Sequence, residues 1–278
     1  MLKTIEFRIL LLMVGISLVP AFGLSASKTK KGAAKQAAPA AAASTAAATP
    51  AKGNVELPAI YLAETKGEVY VVHNEFKDKA DAPQVLEDGD RILTRADSFA
   101  YLELRDGGVV EVDPNSDFTV KKADYPAQGL RAMFNLAYGK VMALVKKLAT
   151  AQSAFEIEAG GVVSGVRGTV YSVEYDGYKC PVIERTYEGT VVNRWPPKHE
   201  QATEAGHWNK VCVCGETTTG KLDSSEDKDF GRFKKAAEEV EGHNGKIQGE
   251  LKTKIAAENQ RKASVNWFII LAICHYHP

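Results

Sequence analysis

Two cysteines and two histidines near the end of the chain come nearest to a chemical site in type and spacing. Cys212 and Cys214 are two positions apart, and so are His275 and His277. Two thiolates and two imidazoles are a donor set that suits tetrahedral zinc. The two pairs lie in different segments, and nothing in the sequence brings them together. We therefore expect no metal and no cofactor at these positions.

Disulfide formation is the chemistry that we expect of the cysteines. The N-terminus reads as an export signal, and exported chains meet oxidising conditions. The four cysteines, at positions 180, 212, 214 and 274, allow three pairings, and the sequence does not choose among them. A direct bond between Cys212 and Cys214 would be strained, because both lie on one face of an apparent strand. The pairing that we expect joins Cys180 to one of these two.

Arg167 stands in an otherwise strand-like run, SGVRGTVYSVEYDG at residues 164–177. A guanidinium stays charged in proteins, so its burial requires a carboxylate and further acceptors. We expect Arg167 to tie its strand to Asp90 or Asp106, each in a turn with glycine. Gly168 would let another backbone or bulky side chain approach. The alternative is contact with a partner, and catalysis is the least favoured role.

Enzyme motifs are absent from the sequence. It contains no Gly-x-Ser-x-Gly, no phosphate loop and no His-Glu-x-x-His, so we expect no catalytic residues. Nucleic-acid binding is also not expected. The formal net charge is zero, and the five lysines of residues 28–52 lack interleaved aromatic residues. Those lysines suit a solvated linker, or attachment to anionic lipid or cell-wall polymer.

The N-terminal residues predict export. Lys3 and Arg8 precede an apolar run, Ile9 to Val19, which is followed by small residues. An eleven-residue run fits a signal peptide over residues 1–26 better than a membrane span. The alternative is an uncleaved anchor. Residues 27–55 are rich in Ala, Lys and Pro and predict a disordered linker.

Short strands and turn signals fill the middle of the chain, and they predict an all-β sandwich or roll. Asp106, Gly107 and Gly108 close a hairpin. A three-residue loop, pairing Leu104 with Val110 and Leu102 with Val112, keeps one face apolar, and a glycine supplies the positive φ. Residues 130–148 contain apolar side chains at three- and four-residue spacing, which is typical of a helix. The run KVMALVKK within this segment would serve equally well as a strand.

The C-terminal part of the chain is predicted to be helical. Residues 221–262 are densely charged and contain two apolar stripes, one from Phe230 to Val240 and one from Ile247 to Ile255. Gly242 and Gly245 lie between the stripes, so we predict two short helices with solvated charged faces. The apolar tail, residues 263–278, is too short to cross a bilayer.

Several of these pieces together resemble the FecR domain family. They are KGEVYV, LEDGDRILTRADSFAYLELRDGGVVEVDPNS, LAYGKVMALV, FEIEAGGVVSGVRGTVYSVE and YEGTVV, spread over residues 60–195. The positions that correspond to the family's marks are Gly89, Asp90, Thr94, Asp106, Gly107, Arg167, Gly168, Thr169 and Gly189. The resemblance implies a jelly-roll-like β domain, placed here at residues 56–220, and a strand at GKVMALV.

The resemblance also implies a non-enzymatic role in the bacterial envelope. Familiar FecR proteins relay a signal from an outer-membrane receptor to a sigma factor. Only eight residues precede the apolar run, so we expect no sigma-regulating segment. The expected function is binding, sensing or signalling in the periplasm or at the cell surface, through contacts with an envelope protein. The alternative is a structural scaffold that binds carbohydrate or peptidoglycan of the cell wall.

Overall fold

The computed structural model of the chain describes residues 55–275, except residues 128, 179, 180, 214 and 215, and describes side chains as far as Val265. The predicted signal peptide and nearly all of the predicted linker lie outside these residues, as do Cys180, Cys214 and the side chain of Cys274. Along the described part, no helix is both long and apolar enough to span a bilayer.

The described residues contain seventeen strands and one helix, joined by turns and loops. The strands are β1 Ile60–Lys66, β2 Val69–His73, β3 Phe76–Lys79, β4 Gln84–Val85, β5 Arg91–Thr94, β6 Phe99–Leu104, β7 Val109–Val112, β8 Asp117–Asp124, β9 Arg131–Val145, β10 Ala154–Ala159, β11 Val162–Val166, β12 Thr169–Tyr175, β13 Val182–Glu188, β14 Thr190–Trp195, β15 His199–Glu204, β16 His207–Val211 and β17 Thr218–Lys221; the helix is α1, Ser224–His275.

The strands form two layers. One layer runs β4-β1-β6-β7-β9-β12-β13-β16-β17, and the other runs β3-β2-β5-β8-β9-β10-β11-β14-β15. Strand β9 belongs to both layers, because it crosses from one to the other near Gly139. Gly139 has a φ of +104°, and a Cβ there would lie 2.6 Å from Ser116 Cα. The predicted all-β sandwich is confirmed.

The main core lies between the two layers. Alternate residues of β1, β6 and β9 meet those of β2, β8 and β10, as the two-residue period of strands requires. Aromatic rings meet at its centre: Phe118 stacks on Phe134 with centroids 5.0 Å apart, and Phe155 lies tilted against Phe134 at 5.2 Å. The strand that the family resemblance implies at residues 139–145 is therefore confirmed, and the helical reading of residues 130–148 is wrong. The spacing of the apolar residues did not distinguish a helix from a strand. Strand β9 passes from one layer to the other near Gly139, which interrupts the two-residue alternation of its buried side chains.

The loop of the β6–β7 hairpin has the expected length of three residues, but it is Arg105 to Gly107 and not Asp106 to Gly108. A 2.8 Å hydrogen bond from Leu104 N to Gly108 O closes it. Gly107 supplies the positive φ, at +86°. The predicted register is wrong by two residues, since Leu102 pairs with Val110 and Ala100 with Val112. A shift of two leaves every side chain on its predicted face, which is why the apolar pattern could not reveal it.

The outer face of the layer that contains β1 and β7 is covered by α1, and we call this layer the covered sheet. Phe233, Ala237, Val240, Ile247 and Leu251 of the helix pack on its outward side chains. Those side chains are Tyr61, Ala63, Val109, Met142, Val170 and Tyr187. We call the other layer the open sheet, because its outer face takes no part in the apolar cluster formed by α1.

The prediction of two short helices is wrong, because α1 is continuous over 52 residues. The last residue of the first stripe, Val240, and the first of the second, Ile247, are seven positions apart. Seven residues are close to two helical turns, so both stripes lie on one face and a single helix buries both. Gly242 and Gly245 are exposed on the opposite side. The part of the predicted apolar tail that is described, residues 263–275, continues the same helix.

Candidate binding site

Among the described residues, the outer face of the open sheet is not covered by the apolar side of α1. At the level of Gly165 on β11, register places Met133 of β9 and Glu156 of β10 on one side and Val192 of β14 on the other. Their strands alternate between buried and partly exposed residues, so these side chains share the outward face. Met133 is 44% exposed. Apolar and charged groups are therefore interleaved on this face.

A trough of about 560 Å³ lies on this face around Gly165. Its walls are formed by Glu156, Arg167 and Arg194, and Thr190 and Val192 line it as well. Gly165 has no side chain to fill the centre, and a Cβ there would lie 3.3 Å from a terminal nitrogen of Arg194. The trough is open to solvent and accommodates an extended or looped segment better than an enclosed small molecule.

The charges in the trough are of both signs. Arg194 donates a hydrogen bond to Glu156, and both side chains are partly exposed. Lys121 and Glu158 form a looser pair at 3.8 Å on the same face. Exposed ion pairs contribute about 0–1 kcal/mol, so they exchange readily for intermolecular partners. Mixed charge suits a polypeptide with its own mixed charges better than a polyanion.

Arg167 lies at the rim of the trough, and its predicted partners are wrong. The side chain is exposed, and it donates to the carbonyl oxygen of Thr150 at 3.0 Å and to that of Ala151. Asp90 and Asp106 bond elsewhere. Backbone carbonyls can accept from a guanidinium as a carboxylate does, and sequence patterns do not reveal which loop will present them. Arg167 therefore holds the β9–β10 connection in place beside the end of strand β11.

The turn of Gly89 and Asp90 is held by buried hydrogen bonds. Asp90 is 3% exposed, and its carboxylate accepts from Glu87 N at 2.9 Å and contacts His73 Nδ1 at 2.6 Å. This carboxylate raises the pKa of His73. A small pocket of about 240 Å³ lies beside the pair, but none of its lining residues is a hydroxyl or thiol nucleophile. The pair serves as a latch between the β2–β3 hairpin and the turn before β5.

Two other residues of the family motif also make local bonds. Thr94 is buried, and its hydroxyl donates to Asp113 O at 2.6 Å and accepts from Ser116 N at 2.9 Å. Asp106 accepts from Gly108 N at 3.2 Å within its own turn. Both residues fix loops between strands and contact no shared cavity.

The remaining motif residues form a corner at which the chain passes between the sheets. Gly168 leads from β11 in the open sheet to β12 in the covered sheet, and Gly189 leads from β13 back to β14. Both have positive φ, +111° and +84°. A Cβ on Gly168 would lie 2.9 Å from Lys147 Cα, and one on Gly189 would lie 2.8 Å from Gly168 O. Thr169 closes the corner by donating to Thr190 O at 3.1 Å. The motif thus encodes sheet crossovers.

A buried polar network between the sheets was not anticipated from the sequence. Glu184 is fully buried, and its two oxygens accept from Thr186 Oγ1 at 2.7 Å and Asn193 Nδ2 at 3.0 Å. Asn193 in turn accepts from Ser164 at 2.7 Å. Burial raises the pKa of Glu184 to about 7. Inward polar residues at alternate positions of β11, β13 and β14 are the sequence signal of this network, and its side chains do not line the trough around Gly165.

The zinc-like constellation has no structural support in the described residues. Among them, no group of three or more His, Cys, Asp or Glu could hold a metal. Cys212 is disulfide-bonded, whereas Cys214, His277 and the side chain of His275 lie outside the described residues. The expected pairing with Cys180 therefore stays a prediction.

The described residues thus form a two-layer β module in which α1 covers one outer face, and part of this module matches a known family. Residues 90–191 match the family model described as FecR protein. The resemblance to FecR proteins that the sequence predicted is therefore confirmed over residues 90–191, a shorter range than residues 60–195. The FecR family is regulatory and envelope-associated, and the match supports a signalling or regulatory module.

Two solved structures are similar to the chain. Both are of a protein described as a "putative anti-sigma factor" from Parabacteroides distasonis ATCC 8503, at 2.50 and 1.65 Å resolution. The sequence identities are 14% and 13%, and the TM-scores are 0.42 and 0.43. Each match covers 50% of this chain and 62% or 63% of the solved chain. No curated protein matches the chain.

Proposed function

We propose that this chain is an exported, non-enzymatic signalling module of the bacterial envelope that binds a protein through its open sheet. The observation that carries the proposal is the difference between the two sheets. The covered sheet already has its outward apolar face buried by α1. The open sheet instead presents the trough around Gly165, with both apolar and charged walls.

The chemistry of the trough favours a protein over a cell-wall carbohydrate. Among the residues that line it, Phe155 is the one aromatic residue, and it is fully buried. A sugar ring therefore has no exposed aromatic face on which to stack within the trough. Val192, Thr190 and the Arg194–Glu156 pair can instead contact the side chains and backbone amides of a polypeptide. Export to the periplasm or cell surface remains part of the proposal.

The proposal is tested by filling the trough. Gly165→Trp places an indole where the wild type has none, and we expect capture of an envelope protein by the full-length chain to fall at least tenfold. Leu93→Trp is the matched control, because β5 is four strands away, about 19 Å at the usual strand spacing.

Cooperative thermal unfolding of both variants is the control that each is folded. Equal capture by Gly165→Trp and wild type would contradict the proposal. Retention of cell-wall polymer in place of protein, lost on trough filling, would support the scaffold function instead.

A further inference from the structure

The two halves of α1 are held on the covered sheet in different ways. The first half is anchored through Arg232, which donates to both oxygens of the fully buried Glu111, at 2.7 and 2.9 Å. Phe233 is fully buried, and Phe230 stacks on Tyr187 with centroids 4.8 Å apart. This half combines aromatic packing with an ion pair whose carboxylate is buried and whose arginine is partly exposed.

The second half covers a buried carboxylate that it satisfies only in part. Glu103 of β6 is 1% exposed, and its Oε1 accepts from Asn244 of the helix. Its Oε2 has no hydrogen-bond partner at ordinary distance among the described residues, although the Tyr61 hydroxyl and Lys146 lie near enough to favour the charged form of this carboxylate. A buried polar atom without a partner is costly, and burial accordingly raises the pKa of Glu103. Asn244 lies on the helix face between Val240 and Ile247. It faces Glu103 as Arg232 faces Glu111, so an arginine at this position could pair with Glu103 in the same way.

The packing of this half is also looser. One cleft of about 350 Å³ opens between the helix and β1, lined in part by Ala63, His243 and Ile247. Another of about 520 Å³ opens between the helix and the β3–β4 region, lined in part by Val85 and Ile255. Residues 256, 257 and 259–265 of the helix are exposed.

Three glycines weaken the helix at the boundary between its halves. Gly242, Gly245 and Gly249 are exposed, and a Cβ added to any of them would meet nothing within 4 Å. Packing therefore does not require glycine at these positions. Each glycine lowers the local helix equilibrium roughly fivefold relative to alanine. Local opening begins where backbone stability and burial are lowest, which here is the helix after Gly242.

We propose that the half of α1 following Gly242 is a releasable strap, and that the face it covers, centred on Glu103 and Tyr61, docks an arginine-bearing helix of a protein partner. Charge complementarity identifies the occupant, because a guanidinium would satisfy both oxygens of Glu103 as Arg232 satisfies those of Glu111 on the adjacent strand. Tyr61, Ala63 and Val109 supply the apolar surface around the carboxylate. This surface is separate from the trough on the open sheet.

The first test compares backbone amide hydrogen exchange in the two halves of the helix in the full-length chain. We expect residues 246–262 to exchange at least tenfold faster than residues 226–241. The triple variant Gly242→Ala, Gly245→Ala and Gly249→Ala should slow exchange in the second half by about 100-fold. Gly231→Ala is the matched control, since it is also exposed with nothing within 4 Å but lies in the anchored half. Equal exchange in the two halves would overturn the proposal.

The second test uses a synthetic peptide of residues 237–257 carrying Asn244→Arg as the probe, with binding followed by fluorescence anisotropy. We expect the peptide to bind the wild type and the Gly231→Ala variant alike, and the triple-alanine variant at least tenfold more weakly. Glu103→Gln should weaken binding tenfold while hydrogen exchange confirms that the sandwich remains folded. Failure to bind the wild type, or equal binding to the triple-alanine variant, would overturn the docking surface.

Discussion

The outer face of each sheet carries an arginine–glutamate pair, but the glutamate is buried on one sheet and in contact with solvent on the other. On the covered sheet, Glu111 is fully buried and Arg232 meets it with two hydrogen bonds. On the open sheet, Glu156 and Arg194 form their pair in contact with solvent. A buried carboxylate depends on its arginine, whereas an exposed carboxylate has water as an alternative. The Arg232–Glu111 pair therefore anchors α1, whereas Arg194 and Glu156 can replace their mutual bond by bonds to a protein partner.

The largest expected effect breaks the pair on the covered sheet. Arg232→Met leaves Glu111 buried without its cation, and we expect the free energy of unfolding to fall by about 3–5 kcal/mol. Denaturant unfolding measures this. Adding Glu111→Gln to the same variant should restore part of the loss, because the buried charge of Glu111 is then removed, whereas Asp113, which lies 3.4 Å from Arg232, keeps Lys140 at 3.9 Å. An unchanged midpoint in Arg232→Met would contradict the anchoring role of this pair.

The next effect concerns Glu184, in the interior that the two sheets share. Its pKa is raised from 4.5 to about 7 in the folded chain, so between these values the folded state holds a proton that the unfolded state has lost. Stability contributed by this group therefore falls as the pH rises from about 4.5 to about 7, by on the order of 3 kcal/mol. We expect Glu184→Gln to be more stable than wild type at pH 8.

At pH 4, by contrast, the wild type and Glu184→Gln should be nearly equal in stability. Asp113, whose pKa is also raised to about 7, contributes to both proteins and cancels in the comparison. Denaturant midpoints across this pH range measure the difference. A difference that stays constant with pH would contradict the buried, protonated carboxyl.

A smaller effect is expected where the chain passes from one sheet to the other. Gly168→Ala combines a φ of +111° with a Cβ placed 2.9 Å from Lys147 Cα, and we expect a loss of about 2 kcal/mol or more. Gly89→Ala is the matched control, since its φ is +98° but nothing lies within 4 Å. It should lose about 1 kcal/mol from backbone strain alone. Equal losses in the two variants would show that the close approach at the corner does not matter.

The smallest effect breaks the pair on the open sheet. Arg194→Met leaves Glu156 in contact with water, so the free energy of unfolding should change by less than about 0.5 kcal/mol. Binding of the captured envelope protein should nevertheless weaken. A loss as large as that in Arg232→Met would show that the two faces do not differ as described.

The sequence predicted the strands better than it predicted how they pair or how the helix continues. Alternating side chains and turn glycines suffice to predict strands, so the all-β sandwich was anticipated. The register of the β6–β7 hairpin was missed because a shift of two residues preserves the apolar pattern. The continuity of α1 was missed because Gly242 and Gly245 suggested a break, although the seven-residue interval between Val240 and Ile247 keeps both stripes on one face.

The candidate site was less accessible to prediction. Arg167 was assigned a buried carboxylate, but it lies exposed and bonds to the carbonyls of Thr150 and Ala151. The trough arises from Gly165, whose place between Glu156 and Val192 depends on pairings between strands distant in sequence. Such pairings are fixed by the tertiary fold, so local patterns do not reveal them.

The most direct test of the account is site-specific photocrosslinking in intact cells. A benzophenone side chain is placed either at Val192 in the trough of the open sheet or at Glu239 on the exposed side of α1. We expect Val192 to give one reproducible crosslinked protein, lost when Gly165→Trp is added, and Glu239 to give none. Crosslinking from Glu239 alone, or a Val192 product that survives trough filling, would contradict the assignment of the open sheet as the binding face.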